Sequence, residues 1–153
     1  MFALKGNIEA VSFVTMLFGV LHFWDDLEDR DQKISRDSVN AVMYNALIDL
    51  PRNSFYQANF NYLSPLIEIA ILNWHAANAM EATESLDDKR IAFISRSDYC
   101  SVMIACARLV GGFEWANKIT PFIRRYWHSE GFDQYLLNLK SQQAHNKEIH
   151  HVL

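Results

Sequence analysis

The residues best suited to chemistry lie together in His22-Phe23-Trp24-Asp25-Asp26-Leu27-Glu28-Asp29. On a helix turning about 100° per residue, His22, Asp25, Asp26 and Asp29 share one arc, while Phe13, Leu17, Val20, Trp24 and Leu27 take the other side. Carboxylates held this close repel one another unless they are solvated or neutralised, and Mg²⁺ is the hard cation that a pair of carboxylates plus substrate phosphates commonly holds. Val11, Thr15 and Phe18 continue the arc toward the N-terminus and are mostly apolar. An acidic rim above an apolar floor is the profile of a cavity, with a solvated polar face as the alternative account.

A second group lies at Asn73, Ala77 and Glu81, spaced i, i+4, i+8, so that an amide and a carboxylate share one helix stripe beside Trp74. It would complete a metal site opposite the first; the alternative is a hydrogen-bonded core asparagine and an exposed glutamate. Glu68 and His75, seven apart on another stripe, read as a buried hydrogen-bonded pair, with an intramolecular His/carboxylate site as the alternative. Catalytic Ser/His/Asp and Cys/His arrangements, glycine loops that cradle phosphate and zinc-ligand spacings are all missing.

The elements that must position these residues read as helices throughout. The segments between Pro, Asn, Ser and Asp clusters are long, rich in Ala, Leu, Ile and Met, and free of strict alternation. Asn7 is placed to cap a first helix ending near Arg30, and Asp37 or Ser38 a second ending before Pro51. A short helix over 54–63 follows, and Ser64-Pro65 opens a long one through about Glu84. Asp87-Asp88 begin a helix carrying Cys100 and Cys106, which Gly111-Gly112 ends or kinks. Two more lie near 113–127, interrupted or restarted at Pro121, and 132–143. The expectation is an all-α, single-domain antiparallel bundle of six to seven helices over 1–153, with a polar tail at 141–153 prone to fray.

Composition narrows the function. The chain has 153 residues, 50% of them hydrophobic, and a net charge of −4 with scattered basic residues. A chain this long builds a core without staples, and no basic stripe marks a nucleic-acid partner. Cys100 and Cys106 fit buried thiols in a reducing compartment. Val11 to Trp24 is uncharged over fourteen residues, shorter than the ~20 that span a bilayer. The expectation is a core helix of a cytoplasmic protein with no membrane span.

Asp25-Asp26-Leu27-Glu28-Asp29 resembles the D-D-x-x-D motif of class I terpenoid (isoprenoid) synthases, and the flank Phe23-Trp24 suits that family. Asn73 and Glu81 resemble the outer positions of its second metal motif, with Ala77 where a hydroxyl is expected. Arg125-Tyr126 is similar to the arginine-tyrosine pair that contacts diphosphate in bacterial members. The resemblance implies Mg²⁺ held by Asp25, Asp26 and Asp29 with Asn73 and Glu81, a prenyl or other diphosphate at Arg125 and Tyr126, and a cavity shaped by Phe18, His22, Trp24 and Trp74. Because the chain is shorter than a usual synthase, a second subunit would supply the missing bundle, and ligand binding without turnover is a further outcome the resemblance allows.

Two other function classes stand beside it. All-α nucleotide pyrophosphatases fit the length better and also hold Mg²⁺ with carboxylates from facing helices, but their E-x-x-E and E-x-x-D pattern is absent in the expected form. A non-enzymatic interaction protein, forming a homodimer or binding another partner, would use some of the four Trp, ten Phe and six Tyr as interface.

Overall fold

The computed structural model describes residues 2–29 and 34–151, with side chains for 2–28 and 34–141. Most of the described residues are helical and none lies in a strand, so the all-α expectation holds. Four long helices carry the fold instead of six to seven: α1 (Ile8–Asp29), α4 (Ser54–Glu81), α6 (Cys100–Trp127) and α7 (Phe132–His151). Short segments join them, namely α2 (Arg36–Tyr44), a π-helical turn (Asn45–Asp49), α3 (Leu50–Arg52) and α5 (Leu86–Ser95).

The count differs because several expected breaks lie inside helices. Pro65 sits within α4, where it removes one backbone donor without ending the helix. That helix is interrupted earlier, at Asn59 (φ −122°, ψ 16°), whose Nδ2 donates to the Phe55 carbonyl at 2.8 Å. The amide thereby occupies an acceptor that a regular turn would satisfy with backbone. In α6 the kink is at Gly112 (φ 80°, ψ 179°), a conformation that a side chain would strain, while Pro121 interrupts nothing. The caps are Asn7, whose Oδ1 accepts from Ala10 N at 2.9 Å, then Ser35, Asn53 and Ser85. Ser35 thus replaces the expected Asp37 or Ser38, and the second helical stretch runs past Pro51 to Arg52.

The chain divides into two compact units. Unit 1 comprises Met1–Ser64 and Ala105–Ala116. Its buried residues include Leu4, Ala10, Phe13, Val14, Leu17 and Cys106, and Phe13 stacks on Tyr56 at 4.9 Å between ring centroids. Buried Asn53 donates to the Glu9 carbonyl at 3.0 Å, and Trp115 Nε1 donates to the Ala3 carbonyl at 2.8 Å. Gly111 leaves room for that indole, since a Cβ there would collide with the Trp115 side chain.

Unit 2 comprises Pro65–Ile104 and Asn117–Leu153. Its buried residues are Ala70, Ala77, Ala92, Cys100, Val102, Met103, Ile119, Ile123, Tyr135 and Leu139. Phe93 meets Tyr135, Phe132 and His128 at 5.1, 5.5 and 5.6 Å. Helix α7 continues through His151.

The core-helix reading of α1 holds only in part. Its buried residues, Ala10, Phe13, Val14 and Leu17, all lie in its N-terminal half. Trp24 and Leu27, expected on the apolar side, are 37% and 48% exposed. The helical period sets which residues share a face; burial further requires a neighbour along its whole length. Among the described residues, Ile8–Glu28 is the one stretch long and apolar enough to cross a membrane by length and composition.

Candidate functional site

Helix α1 delivers the acidic group to its own C-terminal end. Negative charge is disfavoured at that end of a helix, where carbonyl dipoles already point outward. Asp25, Asp26 and Phe18 are half-buried, and His22 is exposed. Asp29 closes the helix, but its side chain lies outside the described residues.

The second group belongs to unit 2, where its members are tied into two hydrogen-bond networks. Asn73 Nδ2 donates to Asp98 Oδ2 at 2.7 Å, and Ser101 Oγ donates to Asp98 Oδ1 at 2.7 Å. Arg124 completes this network: its Nη1 lies 3.9 Å from Asp98 Oδ1 and 3.0 Å from Cys100 Sγ, and its Nη2 donates to Ser101 Oγ at 3.0 Å. The arrangement satisfies the carboxylate on three sides. Burial pushes the Cys100 thiol up, and the Arg124 charge opposes this. Such a thiol is a packing residue and a poor nucleophile.

Glu81 anchors the other network. Tyr135 Oη donates to Glu81 Oε1 at 2.6 Å, and Arg96 Nη1 donates to the same oxygen at 3.3 Å. The guanidinium also lies 5.7 Å from the Tyr135 ring centroid, within cation–π range. Tyr135 is 2% exposed, and burial, followed by its bond to the charged Glu81, raises its phenol well above the ordinary tyrosine range. A phenol held neutral beside a carboxylate is a hydrogen-bond donor by design of the site. Glu81 is therefore not the exposed helix-end glutamate of the alternative reading.

Asn73 and Glu81 therefore share a stripe of α4 but serve different networks, with buried Ala77 between them. A metal at this stripe would have to take Glu81 Oε1 from a tyrosine and an arginine. Among the described residues, no three His, Cys, Asp or Glu side chains are grouped to hold a metal ion. Arg125 and Tyr126 are exposed at the end of α6, and Tyr126 lies edge-on to Trp127 at 5.4 Å. Their neighbour Arg124 is the one that enters the unit 2 network. Trp74 is half-buried with its ring 4.8 Å from that of His75, and Glu68 and His75 are both exposed, which corrects the reading of them as a buried pair.

Sequence reasoning missed Arg96, Asp98, Ser101, Arg124 and Tyr135 as network members. Arg96 and Asp98 occupy a turn between α5 and α6 where an unbroken helix was expected. The signal was present in Ser95, Ser97 and Asp98, three residues of the kind that compete with helical backbone for hydrogen bonds. No protein-family model matches the chain, and no curated protein or solved structure is significantly similar to it.

Proposed function

We infer that this chain is a helical interaction protein that associates with a second copy of itself through exposed apolar helix faces. One observation carries the reading. Nineteen large apolar or aromatic side chains among the described residues are exposed, and they occur in both units, seventeen of them on α1, α2, α4, α5, α6 and α7. Single exposed apolar residues are ordinary on any surface; runs of them along helix faces mark surfaces that bury against something. The polar groups most like a catalytic set, Glu81, Tyr135 and Arg96, are meanwhile committed to one another. Light scattering on the full chain tests the reading: a mass of two chains that falls toward one on dilution is expected, and a single-chain mass at every concentration would contradict it.

A second reading rests on Asp25 and Asp26, which are half-buried where a purely solvated face would expose them. It assigns α1 a Mg²⁺-dependent diphosphate ligand, with Asp29 as a further donor. Thermal melting with Mg²⁺ and inorganic diphosphate tests it. At a hundred times its Kd the ligand should stabilise the native state by about 2.7 kcal/mol. Asp26→Asn should remove that shift, and no shift in the unaltered chain would sink the reading.

A further inference from the structure

Helices α5 and α7 pack together within unit 2, and the contact differs at its two ends. Toward the C-terminus of α5, Phe93 meets Phe132 and Tyr135 at 5.5 and 5.1 Å. Around its first turn, Leu86 and Lys89 instead share a cavity of about 100 Å³ with Leu136, Leu139 and Lys140 of α7, and Glu84 completes the lining. Leu136, Leu139 and Lys140 are spaced i, i+3, i+4 and so lie on one stripe of α7, as Leu86 and Lys89 do on α5. Leu139 is buried and Leu136 half-buried, while Glu84, Leu86 and Lys140 are exposed, so an apolar floor opens to solvent at a charged rim. Packed proteins leave few voids larger than a water molecule, and an apolar wall that faces a void forgoes dispersion attraction.

We propose that this cavity binds a small organic carboxylate, its apolar chain on the three leucines and its charge between Lys89 and Lys140; the site is independent of the self-association inferred above. The charge balance selects an anion. Each ion pair among the described residues of unit 2 uses an arginine: Arg90 with Asp87 at 2.7 Å, Arg96 with Glu81 at 3.3 Å and Arg124 with Asp98 at 3.9 Å. Lys89 and Lys140 enter none of these, so two ammonium groups line the cavity against the single carboxylate of Glu84. The other carboxylates of the first turn are engaged, Asp87 by Arg90 and Asp88 by the Thr83 hydroxyl at 2.8 Å. Lys89 is half-buried, and a charge drawn partly out of water gains more from a counter-ion than an exposed one does. Inorganic phosphate would leave the leucines uncovered, and a plain hydrocarbon would leave the ammonium groups unanswered. Because an apolar cavity of about 150 Å³ holds benzene, one of about 100 Å³ takes a smaller group, a branched chain of about four carbons attached to the carboxylate.

Titration of the full chain with isovalerate, followed by ligand-observed NMR, tests the proposal, with isoamyl alcohol and acetate as comparators. Isovalerate should bind at least about tenfold more tightly than either, since the alcohol lacks the charge and acetate lacks the chain. Lys89→Met combined with Lys140→Met keeps the apolar stems and should erase the preference for isovalerate over the alcohol. Leu136→Phe fills the cavity from its half-buried wall and should abolish binding, with an unchanged or raised melting temperature showing that the fold is kept. Should Leu136→Phe melt lower, the lysine pair alone decides. Equal binding of isovalerate and isoamyl alcohol by the unaltered chain overturns the role of the lysines and with it the carboxylate. Binding that survives a well-folded Leu136→Phe overturns the cavity as the site. No binding of isovalerate to the unaltered chain overturns the proposal as a whole, whatever mass the chain shows in solution.

Discussion

Unit 1 and unit 2 are built from different materials. In unit 1 the long-range polar contacts end largely on backbone carbonyls, those of Glu9, Ala3 and Met16, and the packing centre is a stacked aromatic pair, Phe13 and Tyr56. In unit 2 side chains bond to side chains through Asp98 and Glu81, and the buried Tyr135 belongs to that network. Networks of such side-chain bonds fix one arrangement of the groups that form them. Asp98 and Glu81 are thus part of the unit 2 scaffold, whereas Asp25 and Asp26 adjoin exposed Trp24 and Leu27 in the sequence of α1. Similar residue types at similar spacing thus do different work in the two places.

The largest test of this contrast is Phe13→Ala. Removing a fully buried, stacked ring from unit 1 should cost about 3–5 kcal/mol in urea unfolding. In unit 2 the corresponding change is Tyr135→Phe, which keeps the ring and deletes only the 2.6 Å bond to Glu81. A cost of about 1.5–3 kcal/mol is expected for a bond to a buried charged group, and a cost near zero would break the contrast. Gly112→Ala should cost about 1–3 kcal/mol because the φ of 80° strains any side chain, although nothing lies within 4 Å of the added carbon.

The smallest expected effects come from pH. Burial, with Arg124 nearby, holds His128 below its usual 6.5, so the unfolded chain takes up the proton first and stability should fall as pH drops below about 6.5. For Tyr135 the raised folded value means the unfolded chain loses its proton first, so stability should fall as pH rises past about 10. Tyr135→Phe should remove that residue's share of the alkaline loss and leave the shares of Tyr56, Cys100 and Cys106, which burial also raises. Melting curves across this range, compared between the variant and the original chain, check both slopes.

The all-helical class was legible because long segments lacked alternation and carried recognisable starts, Asn7 among them, whose side chain does cap α1. Pro65 and Pro121 misled because a proline breaks a helix only when the surrounding packing does not hold the chain in place. The candidate site was legible as residue types and not as a network. Asn73 stands 25 positions from Asp98, and Glu81 stands 54 from Tyr135, separations at which no periodicity connects one residue to the other. Burial along α1 was equally hidden, since the helical period assigns Trp24 and Phe13 to one face while Phe13 is fully buried and Trp24 stays 37% exposed.

The most direct test of the central claim is the mass of the full chain in solution, followed by light scattering through a dilution series. The account predicts about twice 17.7 kDa at high concentration, declining toward one chain on dilution through the micromolar range. A mass of 17.7 kDa throughout would contradict it.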